Sequence, residues 1–185
     1  MKHILASLLA PALVALAASS CGGKAAGPPG ATANTSDAPL SAGAALESRS
    51  GSSATGTAEF HEKDGLTEIV IRVQGATPGM RGVHVHDKGD CSAPDAESAG
   101  PHFSPDDHQH GPPAPGSHAG DLGNVEVGPD GSGSLTLTST ALTVRPGTGS
   151  VIGRAIILHG GTDDMQSDPG GKSGPRVACG VIAPR

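Results

Sequence analysis

Short segments in which apolar and polar residues alternate run along the chain from about residue 44 onwards. In the segment 66–74, isoleucine or valine occupies every second position from Ile69 to Val73. Because neighbouring side chains of a strand point to opposite faces, this period of two predicts a strand with one face in a core. Similar patterns predict eight strands in all, at 44–48, 54–61, 66–74, 81–86, 122–127, 134–138, 150–159 and 176–182.

Turn-forming residues separate these segments at lengths typical of hairpins. Asp64-Gly65 lies between the second and third segments, and residues 128–131 (GPDG) lie between the fifth and sixth. Aspartate-glycine pairs favour the tight turns that join antiparallel strands. The chain has 29 glycines, 16 prolines and no segment of helical periodicity. We therefore predict an all-β fold, an eight-stranded antiparallel Greek-key barrel or sandwich with two long functional loops.

The two loops, 87–121 and 160–175, are rich in glycine, proline and aspartate and carry no strand pattern. Structureless segments of this length in a compact domain are usually functional or disordered. The first loop contains four of the nine histidines. We therefore expect a bound metal to supply the order that packing does not.

Composition and charge limit the possible functions of the chain more than they limit its possible folds. Phe60 and Phe103 are the only aromatic residues of the chain, so the core must be built mostly from aliphatic side chains and alanine. The formal net charge of −6 argues against a nucleic-acid partner, because phosphate binding needs a basic surface. It leaves a small anionic substrate open, because the local field at a cleft matters more than net charge.

Residues 1–20 have the form of a signal peptide. Lys2 precedes an apolar stretch that is too short to span a membrane permanently. Its end fits a simple cleavage site, and it also resembles the lipobox of bacterial lipoproteins, in which Cys21 is acylated. We expect the lipoprotein form over simple secretion, because acylation accounts for an odd third cysteine in an exported chain. Residues 21–42 are then a flexible tether and residues 43–185 the folded domain.

Three histidines lie in or at the end of predicted strands. His84 and His86 stand two residues apart, so their imidazoles can face one ion from the same side of a strand. His159 ends another strand. A pair of alternating histidines is weak evidence for a metal site by itself, since such pairs also arise on exposed strands by chance.

The first loop offers a second set of ligands of mixed type. Three imidazoles and one carboxylate make an acceptable tetrahedral zinc site. His108 lies two residues from His110 and is the alternative at that position, while His3 and His61 are interpreted as ordinary surface residues. The predicted set is His102, His110, His118 and Asp121.

Several motifs, in their order and spacing, resemble the copper,zinc superoxide dismutase family. The resemblance covers about residues 44–183. This family is a known member of the β-sandwich class, so its agreement with the predicted fold is not independent evidence. The matching segments are 82–86 (GVHVH), 100–105 (GPHFSP), 110–111 (HG), 118–124 (HAGDLGN) and 176–182 (RVACGVI).

The resemblance implies one copper and one zinc ion per subunit. His102 is the ligand that the two ions share. Asp163 corresponds to the carboxylate that links the two sets of ligands, here through His84 and His110. The implied copper ligands are His84, His86, His102 and His159, and the implied zinc ligands are His102, His110, His118 and Asp121.

Three further residues take a role from the resemblance. Arg176 corresponds to the arginine beside the copper that attracts and orients the anion. Cys91 and Cys179 correspond to a disulfide that ties the metal loop to the last strand. From the residues alone, Arg176 could instead cap the loop or pair with an acid, Asp163 could be an ordinary turn residue, and the two cysteines could be buried thiols.

The implied activity is the dismutation of superoxide. Two superoxide anions and two protons become dioxygen and hydrogen peroxide as copper cycles between Cu(II) and Cu(I), with Arg176 and His102 as the catalytic residues. In the family, the shared histidine detaches from copper on reduction and carries a proton. The expected location is the bacterial periplasm or cell envelope, with the membrane reached only through the lipid on Cys21. A homodimer remains open, because the sequence does not fix the oligomeric state.

Two alternatives use the same scaffold without this chemistry. One is a non-enzymatic copper- and zinc-binding module, which should lack at least one copper histidine or Arg176. The other is a structural lipoprotein domain whose metals serve stability only. Since all the matching residues are present, both alternatives are the weaker hypotheses.

Overall fold

The computed structural model describes residues 40–185, so the predicted signal peptide, Cys21 and most of the predicted tether lie outside the described residues. Within this range, nine strands form one antiparallel sheet that closes on itself. The strands are β1 Leu40–Ser48, β2 Thr55–Lys63, β3 Leu66–Gln74, β4 Gly79–His86, β5 Asp121–Val127, β6 Gly133–Ser139, β7 Ala155–His159, β8 Arg176–Val181 and β9 Ala183–Pro184.

The order of the strands is that of a Greek-key barrel. It runs β1-β2-β3-β6-β5-β4-β7-β8, and β8 returns to pair with β1. The pairings β3–β6 and β4–β7 join strands that do not follow one another in the chain. The predicted eight-stranded Greek-key fold is therefore confirmed, with the two-residue β9 added beside β1. No helix in the described range is long and apolar enough to cross a membrane.

The first predicted hairpin is also present. Lys63 and Leu66 are paired, so the turn between β2 and β3 consists of Asp64 and Gly65. Both residues have a positive φ, 53° for Asp64 and 76° for Gly65. Two positive φ angles give the turn whose twist matches that of antiparallel strands, which is why aspartate-glycine was an informative signal.

Two predicted boundaries are wrong. β1 begins at Leu40 and pairs with β2 from that residue, so the last three residues of the predicted tether belong to the sheet. The predicted strand 150–159 begins only at Ala155. The preceding residues form a turn, in which the Arg154 backbone N–H donates to the Val151 carbonyl and Gly153 has a φ of 76°.

The core is aliphatic, as the composition predicted. Ile69, Ile71 and Val73 of β3 are each at most 1% exposed, which confirms the period of two in that segment. Phe60 and Phe103 are the largest fully buried side chains, and both belong to the main core cluster.

The first long loop, 87–120, is fastened to the barrel at both of its ends. Val85 of β4 donates to the Gly120 carbonyl and accepts from the Phe103 backbone N–H. A disulfide joins Cys91 in the loop to Cys179 in β8, as the resemblance implied. In the chain-entropy model a bridge across 88 residues stabilises the fold by about 4 to 5 kcal/mol. These attachments hold the loop histidines over the ends of β4, β5 and β7.

Candidate metal centre

The residues predicted as ligands form two groups that overlap at His102. The donor atoms within each group all lie within 4.8 Å of one another. We call them the copper group and the zinc group after the ions they were predicted to hold. The copper group is His84, His86, His102 and His159, and the zinc group is His102, His110, His118 and Asp121.

Strand pairing brings the copper group together. His84 and His86 lie in β4, and β7, which ends in His159, pairs with β4. His102 forms an isolated backbone bridge with His86. Asp121, the first residue of β5, is the partner of His84 on the other side of β4. The barrel therefore places one end of the zinc group directly beside the copper group.

Hydrogen bonds fix which nitrogen of each copper-group ring is free. The Nδ1 atoms of His86 and His159 meet the carbonyl oxygens of Gly100 at 2.8 Å and Gly174 at 3.2 Å. A carbonyl can only accept, so each Nδ1 carries a proton and each Nε2 presents a lone pair. His84 Nε2 meets the Asp163 carboxylate at 2.9 Å, which leaves its Nδ1 free.

These free nitrogens form no hydrogen bond within the described part of the chain. His84 Nδ1, His86 Nε2 and His159 Nε2 are buried atoms without a hydrogen-bond partner there. Leaving buried polar atoms unpaired is costly, and a metal ion removes that cost. Three convergent imidazole lone pairs, together with His102, fit a copper ion.

The zinc group converges on one carboxylate oxygen. The Nδ1 atoms of His102, His110 and His118 lie 2.8, 3.0 and 3.3 Å from Asp121 Oδ1. The other oxygen, Oδ2, accepts the backbone N–H groups of Gly111 and His118. This orientation of the carboxylate and the mixture of nitrogen and oxygen ligands fit a tetrahedral zinc ion. The structure brings His110, and not His108, into the group.

Asp163 connects the two groups, as the resemblance implied. Its Oδ2 meets His84 Nε2 at 2.9 Å and its Oδ1 meets His110 Nε2 at 2.8 Å. Asn124 holds Asp163 in place, because its side-chain oxygen accepts the Asp163 N–H and its amide donates to the Asp163 carbonyl. The sequence analysis did not predict this role for Asn124, although the residue lies in one of the matching motifs.

Three more contacts of the second loop were missed. Asp168 Oδ1 accepts the backbone N–H of His110 at 2.6 Å, which ties the loops together behind the zinc group. Gly170 lies so close to the shared ligand that a Cβ atom there would be 3.1 Å from His102 Nε2. Gly171 has a φ of 63°, and a Cβ atom there would overlap the Asp163 carboxylate. Glycine pairs in loops are common, so neither carried a signal of its own.

Arg176 is the first residue of β8 and is paired with His159, the last residue of β7. Its side chain is 13% exposed, and its Nη1 donates to the Ala96 carbonyl at 2.8 Å. Its Nη2 lies 3.3 Å from the carboxylate of Glu97, a residue that the sequence analysis did not single out. The loop that the disulfide fastens to β8 therefore also orients the guanidinium.

Electrostatics keep the copper group neutral and the zinc carboxylate charged. Burial lowers the pKa of His84, His86 and His102, and it lowers that of His159 to about 4. Burial alone would raise the pKa of Asp121, but hydrogen bonds from His102 and Gly111 outweigh it and the pKa is lowered. Neutral imidazoles and an ionised carboxylate are the forms that bind metal ions.

The metal-free protein should lose stability as the pH falls from about 6.5 to 4. In this range His159 takes up a proton in the unfolded protein but stays neutral in the folded protein. The free energy of unfolding is therefore highest above pH 6.5 and decreases toward pH 4. A shift of this size corresponds to about 3 kcal/mol. Thermal melts of metal-free His159→Asn should show a shallower pH dependence, while His61→Asn, a surface control, should match the wild type. Equal slopes in both variants would contradict this account.

Comparisons with known proteins agree with the geometry. A family model described as copper/zinc superoxide dismutase matches residues 54–182. Superoxide dismutase [Cu-Zn] 2 of Brassica juncea is 41% identical over 128 residues, which cover 65% of this chain and 83% of that protein. The crystal structure of the clock protein EA4 superposes with a TM-score of 0.71 at 36% identity, covering 78% of this chain and 94% of that one. The chain therefore belongs to the copper/zinc superoxide dismutase family, oxidoreductases that use copper and zinc to dismutate superoxide.

Proposed function

We propose that this chain converts superoxide to dioxygen and hydrogen peroxide in the bacterial periplasm or cell envelope. The observation that carries the site assignment is the group of buried ring nitrogens without partners, with Arg176 as the strand partner of His159. Copper would be held by His84, His86, His102 and His159, and zinc by His102, His110, His118 and Asp121.

Bound copper supplies a one-electron redox couple, and bound zinc supplies a fixed positive charge next to it. The residues of the chain perform the remaining tasks. They hold the ions in fixed positions, attract the anion and deliver protons to the product. The hydrogen bonds to Gly100, Gly174 and Asp163 perform the first task, because they lock the rings in the orientation that the ions need.

Arg176 performs the second task. Arg176 is the strand partner of His159, and its positive charge is among the smaller effects that, with burial, lower the pKa of His86 and His159. A largely buried cation at this position attracts superoxide and orients it toward the copper group. The hydrogen bond to the Ala96 carbonyl keeps the guanidinium in place.

His102 performs the third task. Its Nδ1 faces the zinc group through Asp121, while its Nε2 faces the copper side, next to Gly170. One imidazole therefore spans both groups. Nε2 is the atom at which a proton can be held and then passed to the departing peroxide. Because burial lowers the pKa of His102, the ring releases such a proton readily.

Arg176→Ala should lower the rate of dismutation about tenfold or more, because electrostatic attraction of a charged substrate is worth ten- to a thousandfold in rate. The assay is superoxide dismutation by the copper- and zinc-loaded protein, with protein measured by amino-acid analysis since the chain has no Trp or Tyr. Arg72→Ala removes an exposed arginine of β3 and should leave the rate unchanged. Wild-type protein that binds both metals but does not turn over would favour the non-enzymatic binding module.

Glu97→Gln should raise the affinity for small anions and the rate at low ionic strength. The carboxylate 3.3 Å from the guanidinium competes with the substrate for its charge. Because Glu97 is 67% exposed, we take the pair to be worth the value of a surface ion pair, up to about 1 kcal/mol, so the change should be about fivefold or less. Azide binding, followed by the copper absorption spectrum, measures it. Glu47→Gln is the matched control, since Glu47 pairs with Arg49 at 3.4 Å and is similarly exposed. Equal effects in both variants would contradict the role of Glu97.

Acylation of Cys21 belongs to the same proposal and rests on the sequence alone. In a bacterial host, the wild type should incorporate a labelled fatty acid and sediment with membranes. Cys21→Ser should lose the label, because the acylated thiol is gone. It should also leave the membrane fraction, because the proposal attaches the chain to the membrane only through the lipid on Cys21. An unlabelled wild-type protein would establish simple secretion instead.

A homodimer is the remaining part of the proposal. Val181 of β8 is 44% exposed and lies beside Gly89 and Gly153, a surface with few side chains. A second copy could approach such a surface closely, with backbone against backbone. The mass of the loaded protein in solution, measured by sedimentation, distinguishes a dimer from a monomer.

A further inference from the structure

A cavity of about 270 Å³ lies beside the zinc group. It is bounded by residues 105–119 of the first loop on one side and by residues 137–141, at the end of β6, on the other. Two residues of the zinc group, His118 and Asp121, line it, and among the described residues that line it none belongs to the copper group. The cavity therefore connects solvent with the zinc group alone.

The zinc group is largely closed to solvent, and its most exposed side chain lines this cavity. The side chains of His110 and Asp121 are fully buried, that of His102 is 5% exposed and that of His118 is 10% exposed. On the other side, the second loop covers His110 through the Asp163 carboxylate and leaves no space for a side chain at Gly171. His118, the most exposed zinc ligand, is thus one of the two that line the cavity, and its Nδ1 is buried without a hydrogen-bond partner.

His108 stands on the wall of the same cavity as an exposed residue. Its Nδ1 meets the carbonyl oxygen of Ser117 at 3.1 Å. Because that carbonyl can only accept, Nδ1 is the donor in this hydrogen bond, and Nε2 is the nitrogen left to bind a metal ion. Asp106, an exposed carboxylate, lines the cavity as well and favours the entry of a cation.

The size of the cavity suits a hydrated ion. At about 30 Å³ for each water molecule, 270 Å³ holds roughly nine waters. A zinc ion with its first hydration shell therefore fits, together with the waters that it sheds as protein ligands replace them. The hydrogen bond from His108 to Ser117, the residue before His118, keeps the imidazole next to the ligand that would follow it.

From these contacts we infer that the cavity is the entrance for zinc and that His108 is a transient ligand in it. The Nε2 of His108 replaces one water of the hydrated ion, and His118 then replaces His108 as the remaining ligands close around the metal. The ion keeps its charge and oxidation state, and the displaced waters leave through the cavity. The inference rests on the zinc assignment proposed above.

A transient ligand has a kinetic signature that a structural residue lacks. It lowers the barrier for entry and for exit by the same amount, so its removal slows both and leaves the dissociation constant unchanged. The removal of a ligand of the final site raises the dissociation constant instead. His108→Gln should therefore slow uptake and release about tenfold each, the lower end of what a local field or ligand does to an on-rate.

The experiment uses the intact mature chain freed of metal and follows uptake of cobalt(II), whose visible absorption reports tetrahedral ligation, by stopped flow. Release of zinc to a chromophoric chelator gives the reverse rate. Ala141→Leu narrows the cavity without touching His108 and should also slow uptake, while His61→Gln, on the surface of β2, should leave both rates unchanged. Circular dichroism verifies that each variant is folded.

Unchanged uptake in either His108→Gln or Ala141→Leu overturns the inference, as does a raised dissociation constant with unchanged uptake in His108→Gln. The zinc assignment is tested separately by His118→Ala, which should weaken zinc binding at equilibrium. If His118→Ala binds zinc as tightly as the wild type, the assignment of the ligands fails, whatever the rates of the His108 variant.

Discussion

The carboxylate of Asp163 is the contact on which both metal groups depend. One oxygen meets His84 of the copper group and the other meets His110 of the zinc group, and the side chain is sealed from water. A buried carboxylate is tolerated only when its hydrogen bonds are satisfied. The second loop must therefore be packed with Asp163 against Asn124 before the two groups can hold their geometry. The second loop and the metal ligands must therefore become ordered together.

What could be predicted from the sequence is what leaves a local signal. Regular alternation located β3 to the residue, and aspartate-glycine located its turn, because period and turn chemistry act over a few residues. The start of β7 was wrong, since residues 150–154 are apolar enough to continue a strand while their hydrogen bonds form a turn. Ligand chemistry suggested the zinc set, and the resemblance to a known family assigned the full sets of histidines that the structure gathers into two groups.

What could not be predicted are single contacts between distant segments. Asn124 meets Asp163 across 39 residues, and Asp168 meets the backbone of His110 across 58. Such contacts involve one side chain each and have no periodicity. Glu97 is similar, because its importance follows only from its distance to Arg176. In each contact the sequence analysis identified one of the two residues, Asp163, His110 or Arg176, and not the residue that holds it.

The glycine at position 171 also constrains how this protein can evolve. Every base change that replaces a glycine adds a side chain, and any side chain there would enter the space of the Asp163 carboxylate. Lys172, the next residue, has a positive φ of 51° and a side chain that is 78% exposed and lies 3.5 Å from the Asp164 carboxylate, so the backbone limits its replacements but packing does not. Adjacent codons therefore differ sharply in tolerance. Substitutions at position 172 can change the charge that this loop presents to solvent, whereas position 171 must remain glycine.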